Sequence, residues 1–100
     1  MSNVLYIDAS AFIYCSKLKT VSFSKAIVIG SYAFGYCSSL SSVSFPYATN
    51  IDYGAFSNCS SLSTATFPNV TSIYAYAFCS CSSLYYISLP CTNYIGGYAF

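Results

Sequence analysis

The chain contains no histidine, arginine, glutamate, glutamine or tryptophan, and its ionisable acids and cations reduce to Asp8, Asp52, Lys17, Lys19 and Lys25. Without an imidazole, a serine or cysteine nucleophile has no ordinary general base beside it, which argues against hydrolytic and transferase chemistry within these residues. Zinc is disfavoured by the same lack of histidine, and Cys79-Ser80-Cys81 is one residue short of the spacing of structural zinc sites. No cofactor is implied. Three lysines confined to the first quarter of the chain and a net charge of +1 cannot neutralise a phosphate backbone, which excludes nucleic acid as the expected partner. No apolar run approaches the roughly 18 to 20 residues that a membrane-spanning helix needs, so membrane insertion is not expected. The first residues, Met1 to Tyr6, show no basic segment leading into an apolar one, so no signal peptide is read there.

What fills the chain instead is hydroxyl and apolar surface: 56% of residues are hydrophobic, 5% are charged and twelve are tyrosine. These residues recur with a period of 22. Phe12, Phe34, Phe56, Phe78 and Phe100 keep one phase; Ile7, Ile29, Ile51, Ile73 and Ile95 keep a second; Ala11 to Ala99 accompany the phenylalanines one residue earlier. Cys15, Cys37, Cys59 and Cys81, and Leu18, Leu40, Leu62 and Leu84, complete the pattern. A fixed period of this length is the mark of a stacked, quasi-one-dimensional array whose units bury their apolar faces against each other. One repeat domain, residues 1–100, is expected, with units starting near 7, 29, 51, 73 and 95 and the last one stopping after its Ala-Phe pair.

Within a unit, Leu40-Ser41-Ser42-Val43-Ser44-Phe45-Pro46 alternates apolar and hydroxyl residues, the period of a half-buried strand. Pro46, Pro68 and Pro90 end it, because proline has no N–H for the ladder. One short strand per unit is expected, stacked into a parallel sheet centred on Val21, Val43, Ala65 and Ile87. In the other half, Ile29, Ala33 and Phe34 at i, i+4 and i+5 predict a short helical or 3₁₀ segment, with the Phe12 series as an interior aromatic spine.

The run Leu-x-x-Ile/Val-x-Phe/Leu-Pro, then Ile-x-x-x-Ala-Phe-x-x-Cys-Ser-x-Leu, resembles the BspA-type leucine-rich repeat over almost the whole chain. The resemblance implies an α/β solenoid with a parallel β-sheet on the concave face and short helical or irregular segments on the convex face. It also implies a segment of a longer cell-surface or secreted protein that binds host proteins, matrix or other cells.

Candidate surfaces follow from the strand. Its outward residues form rows, Thr20, Ser42, Thr64 and Tyr86, then Ser22, Ser44, Thr66 and Ser88. They read either as an ordinary solvated sheet or as a binding face for a protein or glycan, with Tyr85 and Tyr86 as amphipathic anchors. The repeated cysteines read as a buried ladder of thiols filling the turn before the strand, whereas Cys79 and Cys91 fall outside the period and are candidates for exposed thiols. Asp8 and Asp52 share a phase two units apart and read as solvated convex-side or turn residues. The tyrosines at 14 and 36, and at 32, 76 and 98, read as flank-covering rings, with a face that binds sugars or packs against another chain as the alternative. Asn58-Cys59-Ser60 and Asn69-Val70-Thr71 match the glycosylation triplet and are treated as incidental in so serine-rich a chain. An array whose last unit exposes Phe100, Ile95 and Leu89 is expected to associate end to end.

Overall fold

The computed structural model describes residues 3–100. Each 22-residue unit forms one coil, and the coil carries two strands rather than one. The longer strands are β2 (Thr20–Ser22), β4 (Ser42–Ser44), β6 (Thr64–Thr66) and β8 (Tyr86–Ser88). The shorter ones are β1 (Tyr6–Ile7), β3 (Val28–Ile29), β5 (Asn50–Ile51), β7 (Ser72–Ile73) and β9 (Tyr94–Ile95). Two parallel sheets result, of order β2-β4-β6-β8 and β1-β3-β5-β7-β9. The register advances by 22 residues at each step, pairing Val43 with Val21 and Ala65, and Ile51 with Ile29 and Ile73.

Among the described residues there is no helix, which corrects the expectation of a helical or 3₁₀ segment after each isoleucine. Ile29, Ala33 and Phe34 are fully buried, as their spacing requires, but the backbone meets that requirement differently. Its N–H groups alternate between two destinations. Ala33 N–H donates to Gly30 O and Gly35 N–H to Tyr32 O, closing tight turns within the coil, while Tyr32, Phe34 and Tyr36 donate to Tyr53, Ala55 and Ser57 of the next coil. A helix would consume every donor internally and leave none for the neighbouring coil.

The alternation needs residues in the left-handed region, and they recur at two phases: Ser10, Tyr32, Gly54, Tyr76 and Tyr98, and Tyr14, Tyr36, Asn58 and Ser80, all with φ between 54° and 63°. A left-handed non-glycine residue costs about 1–2 kcal/mol. Here the inter-coil bonds at 2.8–3.2 Å from seven of these nine residues, all but Ser80 and Tyr98, and the stacking of the tyrosine rings offset that cost.

The core lies between the two sheets and the turn row. Phe12, Phe34, Phe56, Phe78 and Phe100 stack as the sequence predicts, with successive ring centroids 5.2, 5.3, 5.2 and 5.4 Å apart and planes within 7° of parallel. A second spine, Phe23, Phe45 and Phe67, packs edgewise and tilted against the first, its own centroids 5.7 and 6.1 Å apart. Phe45 and Phe67 each follow a long strand and precede its proline, so the residue that ends the strand also turns its side chain inward. The proline stop falls where expected, with β4, β6 and β8 ending two residues before Pro46, Pro68 and Pro90.

Candidate functional site

The sheet of long strands places the predicted rows on one face. Val43 and Ala65 are buried, while Ser44 and Thr66 beside them are exposed and Ser42 and Thr64 are partly exposed. Thr20 and Ser22 in the first coil are exposed, as is Tyr86 in the last; Ser88 is partly covered. The register brings the residues into lateral rows: Thr20, Ser42, Thr64 and Tyr86 are consecutive partners, as are Ser22, Ser44, Thr66 and Ser88. Tyr85 stands just outside the strand, 79% exposed, with Tyr86 at 54%.

Some hydroxyls elsewhere in the coil are occupied. Ser63 Oγ donates to Ser41 O, Thr71 Oγ1 to Thr49 O and Thr92 Oγ1 to Val70 O, each to the preceding coil. Among the described residues, no side-chain hydrogen bond engages the nine residues of the strand face. Their donors and acceptors are turned to solvent.

The repeated cysteines form the expected interior row. Cys37, Cys59 and Cys81 donate their thiols to Phe12, Phe34 and Phe56 carbonyls of the preceding coil at 3.1–3.2 Å, so each sulfur pins one coil to the next. Burial pushes the Cys37 and Cys59 thiols up, the latter far above the ordinary range, and raises Cys81 to about 11. Such thiols stay protonated and unreactive at neutral pH. Cys91 is exposed and Cys79 is partly so.

The tyrosines of the turn row are more ordered than flank covering implies. Tyr14 stacks on Tyr36 at 5.0 Å, and Tyr32, Tyr53, Tyr76 and Tyr98 form a continuous series at 5.3–5.7 Å. Gly54 interrupts the tyrosine phase because the Tyr32 ring already occupies its side-chain volume: a Cβ there would sit 2.7 Å from that ring. Tyr53, one residue earlier, supplies the missing ring.

The two aspartates differ. Asp8 is exposed, as read from the sequence, but Asp52 is half-buried. Asp52 lines a shallow groove of about 380 Å³ with Ser31, Tyr53, Tyr74, Ala75 and Tyr94, where the ends of β5 and β7 enter the turn row. Burial pushes its carboxyl above the usual range. Counting by phase does not find this groove, because Tyr53, Tyr74 and Tyr94 fall at three different positions of the repeat. Among the described residues there is no cluster of metal-ligating side chains and no helix long and apolar enough to cross a membrane.

A family model described as the BspA type leucine-rich repeat region matches residues 2–100 in six copies. The chain belongs to the BspA-type leucine-rich repeat family. Among solved structures of such proteins, it is similar to a leucine-rich repeat protein from Bacteroides ovatus, with 30% identity and a TM-score of 0.87 over 99% of this chain and 29% of that one. It is also similar to a leucine-rich cell surface protein from Faecalibacterium prausnitzii, at 24% identity and a TM-score of 0.70 over 88% of this chain and 30% of that one. The chain thus spans less than a third of the length of either protein. A leucine-rich repeat protein from T. pallidum, 21% identical with a TM-score of 0.50, shares the fold over 93% of this chain. No curated protein matches the chain. As BspA-type repeats, the coils form a scaffold whose variable surface residues are the place to look for function.

Proposed function

We propose that this BspA-type solenoid is a binding or adhesion module, not an enzyme, and that it presents the face of its long strands to a protein or glycan. The observation that carries this reading is the unengaged polar face: among the described residues, the side chains of Thr20, Ser42, Thr64, Ser22, Ser44, Thr66 and Ser88 form no hydrogen bond and stand in lateral rows, while Ser41, Ser63, Thr71 and Thr92 tie their hydroxyls to the coil before them. Tyr85 and Tyr86 flank these rows with large, exposed, amphipathic rings, the residue type that contributes most to recognition at low entropic cost. Charge plays little part, so the contact is expected to be weakly dependent on salt. Family membership supports a partner of macromolecular kind and a place at the cell surface or outside it, the setting named for the Faecalibacterium relative.

The test is a screen of the chain against glycans and extracellular matrix proteins, followed by Tyr86→Ala and Thr64→Lys on any hit. Loss of binding with unchanged circular dichroism supports the strand face; binding that survives both substitutions removes it.

A second reading is favoured by a separate observation. In the 100-residue chain, Ile95 and Phe100 are each about half exposed, and an open cleft lies between Phe78, Leu84 and Phe100. An apolar coil face of this kind is one that a further coil covers, so the alternative is a purely structural or self-associating solenoid segment with no ligand of its own. Sedimentation across a concentration series tests it: growth in mass that a polar C-terminal cap abolishes supports stacking, and a monomer at all concentrations excludes it.

A further inference from the structure

From the groove at the end of the five-stranded sheet, we infer a second binding site, in which Asp52 and the rings of Tyr53, Tyr74 and Tyr94 receive an organic ammonium group. It lies apart from the long-strand face and does not depend on that face being functional.

Three features point to a cation. The first is the state of Asp52. Its carboxylate is partly withdrawn from water, which pushes its pKa up, and among the described residues no side-chain hydrogen bond is made to it. A desolvated charge without a partner is unfavourable, and a bound cation supplies the missing partner. The chain's own lysines cannot do so, since Lys17, Lys19 and Lys25 lie in the first coil and its exit, and none lines the groove.

The second feature is the ring geometry. Tyr74 and Tyr94 stand 5.7 Å apart with their planes inclined at 53°, and Tyr53 completes the lining. At that separation the two rings touch each other, so a cation would sit against their exposed surfaces beside Asp52 and not between them. The negative faces of tyrosine rings attract an ammonium group within about 6 Å of the ring centroid. The third is access. Tyr53, Tyr74 and Tyr94 are all exposed on the outer surface of the coil, so a side chain or a small molecule can enter without any coil opening.

The shared chemistry is an alkylated or free ammonium, which could arrive on a lysine side chain of a partner protein or as a small quaternary ammonium compound. Charge distinguishes it from a neutral sugar, which would leave the carboxylate uncompensated.

The test is titration of the 100-residue chain with choline, with Nα-acetyl-lysine methylamide, with the neutral choline isostere 3,3-dimethylbutanol and with N-acetylglucosamine, followed by backbone and tyrosine-ring NMR shifts. Saturable shifts at Asp52, Tyr53, Tyr74 and Tyr94 with either ammonium probe, and none with the neutral isostere, are expected; the tighter of the two ammonium probes identifies the source. Asp52→Asn should weaken that binding about tenfold, the worth of one charge-assisted contact. Tyr74→Leu should weaken it as well, while Tyr74→Phe, which keeps the ring, should retain it. Because Asp52→Asn removes a desolvated charge, it should leave the fold intact, so loss of binding in that variant reports the site and not unfolding. Equal shifts from choline and its neutral isostere, shifts from N-acetylglucosamine alone, or no shift at these residues from either ammonium at molar excess would overturn the assignment.

Discussion

Replacing Phe56 by alanine should be far more damaging than the same change at Phe12, although both residues occupy one position of the repeat. Phe56 is fully buried; it stacks on Phe34 and Phe78 at 5.3 and 5.2 Å and meets Phe45 and Phe67 at 6.2 and 6.0 Å. Phe12 is partly exposed and meets only Phe34 and Phe23, at 5.2 and 5.9 Å. Truncating a buried phenylalanine costs about 3–5 kcal/mol. Each aromatic pair adds about 0.5–1.5 kcal/mol beyond its area, so the two further pairs lost at Phe56 should make it worse than Phe12 by about 1–3 kcal/mol. A chain of this length has a total stability of about 5–15 kcal/mol, so the central change consumes a large share of it. The assay is urea unfolding followed by far-UV circular dichroism. With a slope of about 1–3 kcal/mol per molar urea, the Phe56→Ala midpoint should fall by about 2 M, and the Phe12→Ala midpoint by markedly less. Equal shifts for the two variants would refute the reasoning, because they would mean that stability is not a sum of neighbour contacts along the stack.

Three further outcomes follow from particular groups. Thiol titration of the native chain should label Cys91 first and leave Cys37 and Cys59 untouched until denaturant is added; Cys81, raised to about 11 from 9.0, should present about one hundredth of the thiolate of an ordinary cysteine at equal pH, and rapid labelling of all six would contradict the buried ladder. Gly54→Ala should destabilise by about 1–2 kcal/mol, from the left-handed φ of +63° together with the approach to the Tyr32 ring, and a chemical melt unchanged from the parent would remove that explanation. For Asp52, the folded carboxyl titrates above its unfolded value, so between those values the native state holds more of the proton and stability rises as pH falls through the window. The desolvation penalty is fully present at neutral pH, so Asp52→Asn should raise the melting temperature at pH 7 and flatten its dependence on acid pH; a lowered Tm at pH 7 would show that the carboxylate has a stabilising partner.

Features with a strict period were legible in the sequence. The Phe12 series, the cysteine row, the long strands with their proline stops and the lateral hydroxyl rows all depend on one residue recurring at one place, and stacking coils in register turns such a pattern directly into contacts. The second sheet was not legible, because two-residue strands such as β5 and β7 are too short to show alternation. The helical expectation failed at Tyr32 and Tyr36: tyrosine gives no sign of a left-handed backbone, yet these positions turn alternate N–H groups toward the next coil. Asp52 was read as solvated because its phase is shared with the exposed Asp8; what differs is the lining from Tyr53, Tyr74 and Tyr94, which come from three phases and meet only when the coils are stacked.

The most direct test of the account is a lysine scan of the folded chain against whichever glycan or matrix protein it binds in the screen. Single lysines would be placed on the long-strand face, at Ser22, Ser44 and Thr66, and at the exposed turn residues Ser16, Ser38 and Ser60. The account predicts that lysine at Ser44 or Thr66 abolishes binding while lysine at Ser16, Ser38 or Ser60 leaves it unchanged, all variants keeping the parent circular dichroism. Binding lost from the turn positions and retained on the strand face would contradict it.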